Sequence, residues 1–266
     1  MIIENTSPIG FFDSGVGGLS VLARFRNSLP NENIVYFGDT VHLPYGNKSK
    51  EELIGYAKNI LDFMQTKNVK AVVIACNTSS AQAYDTVKTS YSFPIYPIIQ
   101  TCAMGLGVNN YKRIGVFATE ATVKSGKYSQ ELKKYNSKIE VKELASKNWV
   151  GIVEKRGTCI DENIANIKDE ISEMLKFKPD KIILGCTHYP YLMNEFVKYA
   201  PKELFIDPAD IFVKYVKHDL DKLNLLNSST EVGNEEFFVS TNPNEFVENA
   251  KIFYKVKQLP QVITTP

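Results

Sequence analysis

Residues 73–81 read VIACNTSSA and residues 183–190 read ILGCTHYP. Each is a short apolar run that stops at a cysteine, passes through small hydroxyl or amide residues and enters a helix-like stretch. A run of this length, bounded in this way, is the pattern of a strand buried on both faces. Strands that alternate with helical patterns predict an α/β architecture with mainly parallel sheets. Further candidate strands are IGFFD (9–13), IVYFGD (34–39), AVVIAC (71–76), IYPII (95–99), IGVFAT (114–119), KIILGC (181–186), LFID (204–207) and EEFFVST (235–241). The repeated strand-cysteine-helix unit implies two similar halves. Each half would place a cysteine at the carboxyl end of a strand, where open α/β sheets present their ligand crevice.

The helices between these strands carry their own start signals. Leu53, Ile54, Ala57, Ile60, Leu61 and Met64 form one apolar stripe along residues 50–67, behind a Ser49/Glu52 capping box. Asn242 as N-cap, Pro243 at the first helical position and Glu245 three residues after the cap predict a helix that runs to Tyr254.

Bulk properties exclude several classes. The 266 residues, 44% hydrophobic and 23% charged, suit a globular chain with a large core. Lys plus Arg at 31 against Asp plus Glu at 30 leaves +1, with the signs interspersed, so no basic block points to nucleic acid. No apolar run approaches bilayer length, and the first residues, MIIENTSPIGFFDSG, lack a signal-peptide pattern. A cytoplasmic protein without membrane association is expected. Cys76, Cys102, Cys159 and Cys186 form no CxxC pair, and with three histidines a metal site is not expected. In a reducing compartment they are free thiols.

DSGVGGLSVL (13–22) follows a strand and opens a helix, so two readings stay open: a tight turn, or a partial dinucleotide fingerprint with Asp39 at the end of the next strand as the ribose acid. The third glycine of such a fingerprint is replaced by Ser20. Asp13 is either an N-cap or a functional carboxylate. His188 is either an interior histidine or a general acid/base. HLPYG (42–46) reads as a turn at the same sheet edge, and Glu154 as a solvated charge. A lone cysteine is usually a small core residue, which suits Cys102 and Cys159. Cys76 and Cys186 differ because each precedes a helix start, where N–H groups and the helix dipole stabilise a thiolate. Two thiols in one crevice can form a disulfide, act as nucleophile and resolver, or exchange protons with opposite faces of a substrate. The last accounts for the duplication, since inverting a carbon centre needs a base on one face and an acid on the other.

DSGVGG, YFGDTVHLPYG, ACNTSSA, GVFATEATV and LGCTHYP, spread over about residues 9–190, together resemble the glutamate racemases. That resemblance implies two pseudosymmetric α/β domains facing one another, residues 1–98 plus 207–266 and residues 99–206, with the active site between them. It implies that L- and D-glutamate are interconverted without a cofactor, supplying D-glutamate for peptidoglycan and so for cell shape, by a protein that can form a homodimer. Carried over by position, Cys76 and Cys186 exchange the protons, Asp13 and His188 assist, and Glu154 supports. Substrate contacts fall on Asp13, Ser14, Tyr45, Gly46, Asn77, Thr78, Thr119, Thr122, Thr187 and His188. Two competing readings are a racemase for aspartate or another amino acid, and a dinucleotide-binding module whose cysteines are incidental.

Overall fold

The structure is a computed structural model that describes residues 4–146, 148–154 and 161–264. Cys159 lies outside the described residues. Among the described residues ten strands form two separate sheets. The first holds β1 (Ile9–Asp13), β2 (Ile34–Gly38), β3 (Ala71–Ile74), β4 (Ile95–Pro97), β9 (Glu235–Val239) and β10 (Gln261–Val262), in the order β10-β9-β2-β1-β3-β4. The second holds β5 (Arg113–Ala118), β6 (Glu140–Ala145), β7 (Lys181–Gly185) and β8 (Phe205–Ile206), in the order β6-β5-β7-β8. Every pairing is parallel. The protein is α/β, with two parallel sheets.

The two orders contain the same motif. β2-β1-β3-β4 and β6-β5-β7-β8 each put the first strand inside, the second on one side and the third and fourth on the other. Each sheet therefore has a switch point between its first and third strands, where the chain leaves in opposite directions and a crevice opens at the carboxyl ends.

The apolar runs follow from burial on both faces. In the first sheet Phe11, Tyr36 and Val73 join one core cluster while Phe12, Phe37 and Ile74 join another behind it. Alternate residues of one strand thus enter different cores, and neither face can be polar. The larger cluster continues into the second sheet through Val116, Phe117 and Leu184. The smaller one receives the helix Lys50–Thr66, whose capping box is complete: Glu52 N–H donates to Ser49 Oγ at 3.2 Å and Ser49 N–H to Glu52 Oε2 at 2.8 Å. Leu53, Ala57, Ile60, Leu61 and Met64 are buried along it.

Several expected boundaries shift. Ile98 and Ile99 belong to the helix Ile98–Gly107 rather than to β4, with the Ile98 N–H donating to Ser80 Oγ at 3.1 Å. Of LFID only Phe205 and Ile206 are extended, because Asp207 turns to cap the helix Pro208–Lys222 by accepting from the Ala209 N–H at 2.9 Å. The helix after Asn242 spans Pro243–Ala250 and stops short of Tyr254. Beyond it the chain turns so that Phe253 packs edge-on against His188 and Tyr191, a tertiary contact a continuing helix would not make. Asn242 is left-handed, at φ 50°, and its amide donates to Glu245 Oε2 at 3.3 Å instead of accepting from the helix. β6 and β10 have no counterpart among the expected strands. Both are sheet edges with half-exposed or exposed side chains, so neither carries an apolar run.

Among the described residues no helix is long and apolar enough to cross a membrane. Leu61 is fully buried between sheet and helix, so Leu61→Ala is expected to cost about 2–5 kcal/mol of stability. Urea unfolding measures the loss, while turnover per folded molecule should be unchanged because Leu61 lies behind the sheet.

Candidate active site

The carboxyl ends of the two sheets face a common cavity of about 570 Å³. In the first sheet Phe12 pairs with Ile74, and in the second Ala118 pairs with Gly185. Asp13 and Cys76 therefore leave one sheet at nearly the level at which Thr119 and Cys186 leave the other. Both cysteines follow the last strand residue rather than closing the strand: β3 stops at Ile74 and β7 at Gly185.

Of the residues expected at the site, Asp13, Ser14, Tyr45, Gly46, Cys76, Asn77, Thr78, Thr119, Glu154, Cys186, Thr187 and His188 all line this cavity. Thr122 does not. It is buried behind the wall, with its hydroxyl 3.0 Å from that of Thr119 and 3.5 Å from that of Thr78. Cys102 is fully buried in the core on the helix Ile98–Gly107, away from the cavity.

Each thiol has its own surroundings. Cys76 is the N-cap of the helix Asn77–Gln82, where its sulfur accepts the Ser79 N–H at 3.5 Å. Burial, and then the Asp13 carboxylate, nevertheless push its thiol up to about 12. Cys186 Sγ lies 3.8 Å from His188 Nδ1, and His188 Nε2 lies 3.0 Å from Glu154 Oε1. Burial opposes a charge on His188, but the hydrogen bonds with Cys186 and Glu154 and their charges outweigh it and raise the imidazole to about 10. One thiol thus stands beside a cation and the other beside a carboxylate. Burial holds the Asp13 carboxyl above the ordinary carboxylate range, against the charge of His188 and the N–H groups of Gly15 and Gly18.

Those N–H groups bear on the dinucleotide reading. The Gly15 N–H donates to Asp13 Oδ1 at 3.0 Å, so the turn serves its own carboxylate. A Cβ on Gly17 would stand 2.5 Å from His188 Cε1, and one on Gly18 2.5 Å from Asp13 Cβ. The glycines let the turn press against β3 on one side and the second sheet on the other, leaving no room there for a pyrophosphate. Gly17 and Gly18 of DSGVGG are there for packing.

Hydrogen bonds cross the crevice at three further points. Thr78 Oγ1 lies 3.0 Å from Thr119 Oγ1, the Tyr128 hydroxyl donates to Asn77 Oδ1 at 2.6 Å, and Ser20 Oγ donates to the Thr187 carbonyl at 3.1 Å. With its oxygen taken by Tyr128, Asn77 keeps its amide N–H bonds for other acceptors. No Lys or Arg lines the cavity among the described residues. An anionic guest must be held by hydroxyls, amides and backbone N–H groups. Among the described residues no group of three or more His, Cys, Asp or Glu could hold a metal ion.

Ser146, Asn148, Val150 and Tyr189 also line the cavity, and sequence reasoning singled out none of them. Ser146 and Asn148 follow the edge strand β6 as Thr119 follows β5. Recognition of β6, in KIEVKELA, was the signal that would have found them.

The sequence matches the Asp/Glu/Hydantoin racemase family over residues 19–216. A Nostoc glutamate racemase is 38% identical over 244 residues, which are 91% of this chain and 83% of the relative. Glutamate racemase 3 of Caldanaerobacter subterraneus is 39% identical, over 94% of this chain and 92% of its own. Among solved structures, the glutamate racemase of Francisella tularensis in complex with D-glutamate superposes with a TM-score of 0.90 at 31% identity, covering 98% of each chain. The chain belongs to the Asp/Glu/Hydantoin racemase family.

The inequality of the two thiols is open to direct measurement. Since the thiolate is the nucleophile, Cys76 is expected to resist iodoacetamide at neutral pH and to become reactive only as the pH climbs towards about 12. Mass spectrometry of a Cys159→Ser protein locates the label. Rapid labelling of Cys76 at neutral pH would contradict the assignment.

Proposed function

We propose that the protein is a glutamate racemase that moves the α-proton between Cys76 and Cys186. The observation that carries this reading is the pair of thiols at matching strand ends of two sheets with the same strand order, both lining one cavity. A base must take the proton from one face of the α-carbon and an acid must return one to the other. For the reverse reaction the roles exchange. A thiol is suited to both because it titrates nearer neutrality than Lys or Tyr.

In the direction from L to D, the Cys186 thiolate, stabilised by the His188 cation and through it by Glu154, takes the α-proton. Cys76, held as a thiol by burial and by Asp13, gives its proton to the opposite face. The product then leaves a thiol at Cys186 and a thiolate at Cys76; the starting state returns when Cys186 loses one proton to solvent and Cys76 gains one from it, with His188 and Asp13 beside them assisting. The substrate carboxylates are held by Ser14, Asn77, Thr78, Thr119, Thr187 and the Tyr45–Gly46 turn, with Thr122 bracing the threonines from behind. The reaction needs no cofactor in this scheme, since the two thiols make both proton transfers.

The two domains are residues 1–98 with 207–266, around the first sheet, and residues 99–206, around the second, with the site between them. The expected setting is the cytoplasm, with D-glutamate passed to peptidoglycan synthesis and so to cell shape, and a homodimer as the assembly. Glutamate is preferred to aspartate because the relatives that match over most of the chain are named as glutamate racemases.

The test separates the two faces. In deuterium oxide, L-glutamate should exchange its α-proton much faster than L-aspartate. Replacing Cys76 or Cys186 by Ser keeps size and a proton but makes a much poorer base, so racemisation should fall by at least about a hundred-fold, the scale of general acid–base catalysis. Elimination from a substrate with a leaving group at Cβ needs only one deprotonation. Cys76→Ser should still eliminate from the L analogue and Cys186→Ser from the D analogue. If both variants prefer the same enantiomer, a single base does the work and the two-thiol scheme fails.

A further inference from the structure

Asp39 ends the IVYFGD stretch and lies beside the cavity without lining it. It is 1% exposed, and among the described residues no Lys or Arg pairs with it. A buried carboxylate without a cation needs strong donors. Two supply them. The Tyr45 hydroxyl donates to Oδ2 at 2.5 Å, and the His42 Nδ1 lies 2.8 Å from Oδ2 and 2.9 Å from Oδ1. Carboxylate oxygens only accept, so the Nδ1–H tautomer faces them. The Tyr45 hydroxyl is itself raised, by burial and then by Asp39, and remains a donor.

Both donors belong to the segment at the cavity mouth. The segment is pinned at its start, where the Val41 N–H donates to Ser240 Oγ at 2.8 Å and Thr40 Oγ1 to the Thr241 carbonyl at 2.7 Å. Further along, the His42 ring stacks on Tyr56 with centroids 3.8 Å apart and planes 14° from parallel. Between and beyond these anchors lie Leu43, Gly46 and Asn47, which line the cavity. A Cβ on Gly15 would stand 3.3 Å from Leu43, and one on Gly46 3.7 Å from Thr119 on the opposite wall. The backbone of Asp39 is tied in turn to the catalytic strand, its N–H donating to the Asp13 carbonyl at 3.0 Å.

We propose that Asp39 is a positioning residue, a buried carboxylate that latches His42 and Tyr45 and so holds the Leu43–Asn47 strap over the mouth, with Gly46 set against Thr119. Asp39 touches no substrate in this arrangement. It acts through the strap, whose Tyr45–Gly46 turn offers its backbone to the guest, and in that respect it rests on the racemase reading above. The backbone of the strap and of the residues before it makes only two short 3-10 turns, Thr40–His42 and Tyr45–Asn47. Its position therefore depends on side-chain bonds that can be removed one at a time.

Two measurements on His42→Ala, Tyr45→Phe and Asp39→Asn test the latch. Hydrogen exchange needs no substrate: loss of a charge-assisted hydrogen bond is expected to raise the exchange rates of amides 42–47 about ten-fold or more, with those of β1 and β3 unchanged. In turnover, KM for glutamate should rise about ten-fold while kcat changes less than about three-fold, because the thiols are untouched. The fall in kcat/KM must be the same from either enantiomer, since the two have equal free energy. Tyr45→Phe and Asp39→Asn sever the same bond, so their combined effect should fall short of the product of the single effects. Unchanged exchange in the strap of both His42→Ala and Tyr45→Phe overturns the latch whatever the substrate. A wild-type protein that fails to racemise glutamate overturns the functional reading, and exchange alone then decides the latch.

Discussion

Gly17 and His188 meet where neither has room for another atom. Because a Cβ on Gly17 would enter the imidazole ring and the Thr187 hydroxyl, the turn after β1 rests directly on the residues after β7. That contact sets how closely the carboxyl ends of two separate sheets approach. The hydrogen bonds from Ser20 to Thr187, from Tyr128 to Asn77 and between Thr78 and Thr119 then surround it. Charges facing one another across a crevice lined from both sides interact more strongly as water is excluded. The same closeness makes unpaired charge costly, and the acids and the imidazole have partners: Asp13 the Gly15 N–H, His188 the Glu154 carboxylate and, beside the cavity, Asp39 the Tyr45 hydroxyl.

Reversible proton transfer asks for two groups close in proton affinity but opposite in state. Two equally surrounded thiols would both be protonated, and the crevice would lack a base. Here the backbone is duplicated and the surroundings are not. A cation backed by a carboxylate adjoins Cys186, while a carboxyl and a helix N-terminus adjoin Cys76. In the proposed scheme the helix terminus matters in the second half of the cycle: the Ser79 N–H is already directed at the Cys76 sulfur, so a thiolate there would form without rearrangement.

Much of this was legible in the sequence for a definite reason. Strands covered on both faces must be apolar throughout, so IGFFD, AVVIA and KIILG announce themselves, and the residue after each run is the first free to carry chemistry. Cys76 and Cys186 were accessible on that basis; Asp13 closes its own run, and Thr119 entered through the resemblance to the glutamate racemases. What failed to show were features fixed by neighbours distant in sequence. β6 is a sheet edge whose Glu and Lys side chains are half-exposed, and with it Ser146 and Asn148 went unnoticed. Thr122 looked like its neighbour Thr119 but stands one layer behind it, because the helix Glu120–Ser125 turns it inward. The glycine turn resembled a phosphate loop because both need backbone without side chains. Only the position of His188 shows that a ring, rather than a ligand, fills the space.

The two halves differ most at equivalent places. One residue after the thiol stand Asn77 and Thr187, and two residues after it stand Thr78 and His188. At the end of the first strand stands Asp13 in one sheet, where the other ends at Ala118 and turns at Thr119. Each half thus offers one ionisable assistant and one hydroxyl, in exchanged positions: the acid precedes Cys76 in space through β1, and the base follows Cys186 in sequence. Asp13 and His188 come from opposite sheets, yet the charge of His188 lowers the proton affinity of Asp13. A duplicated fold supplies two opposed sheet ends, and in the proposed scheme the divergence of three residues in each copy lets the two faces act in alternation.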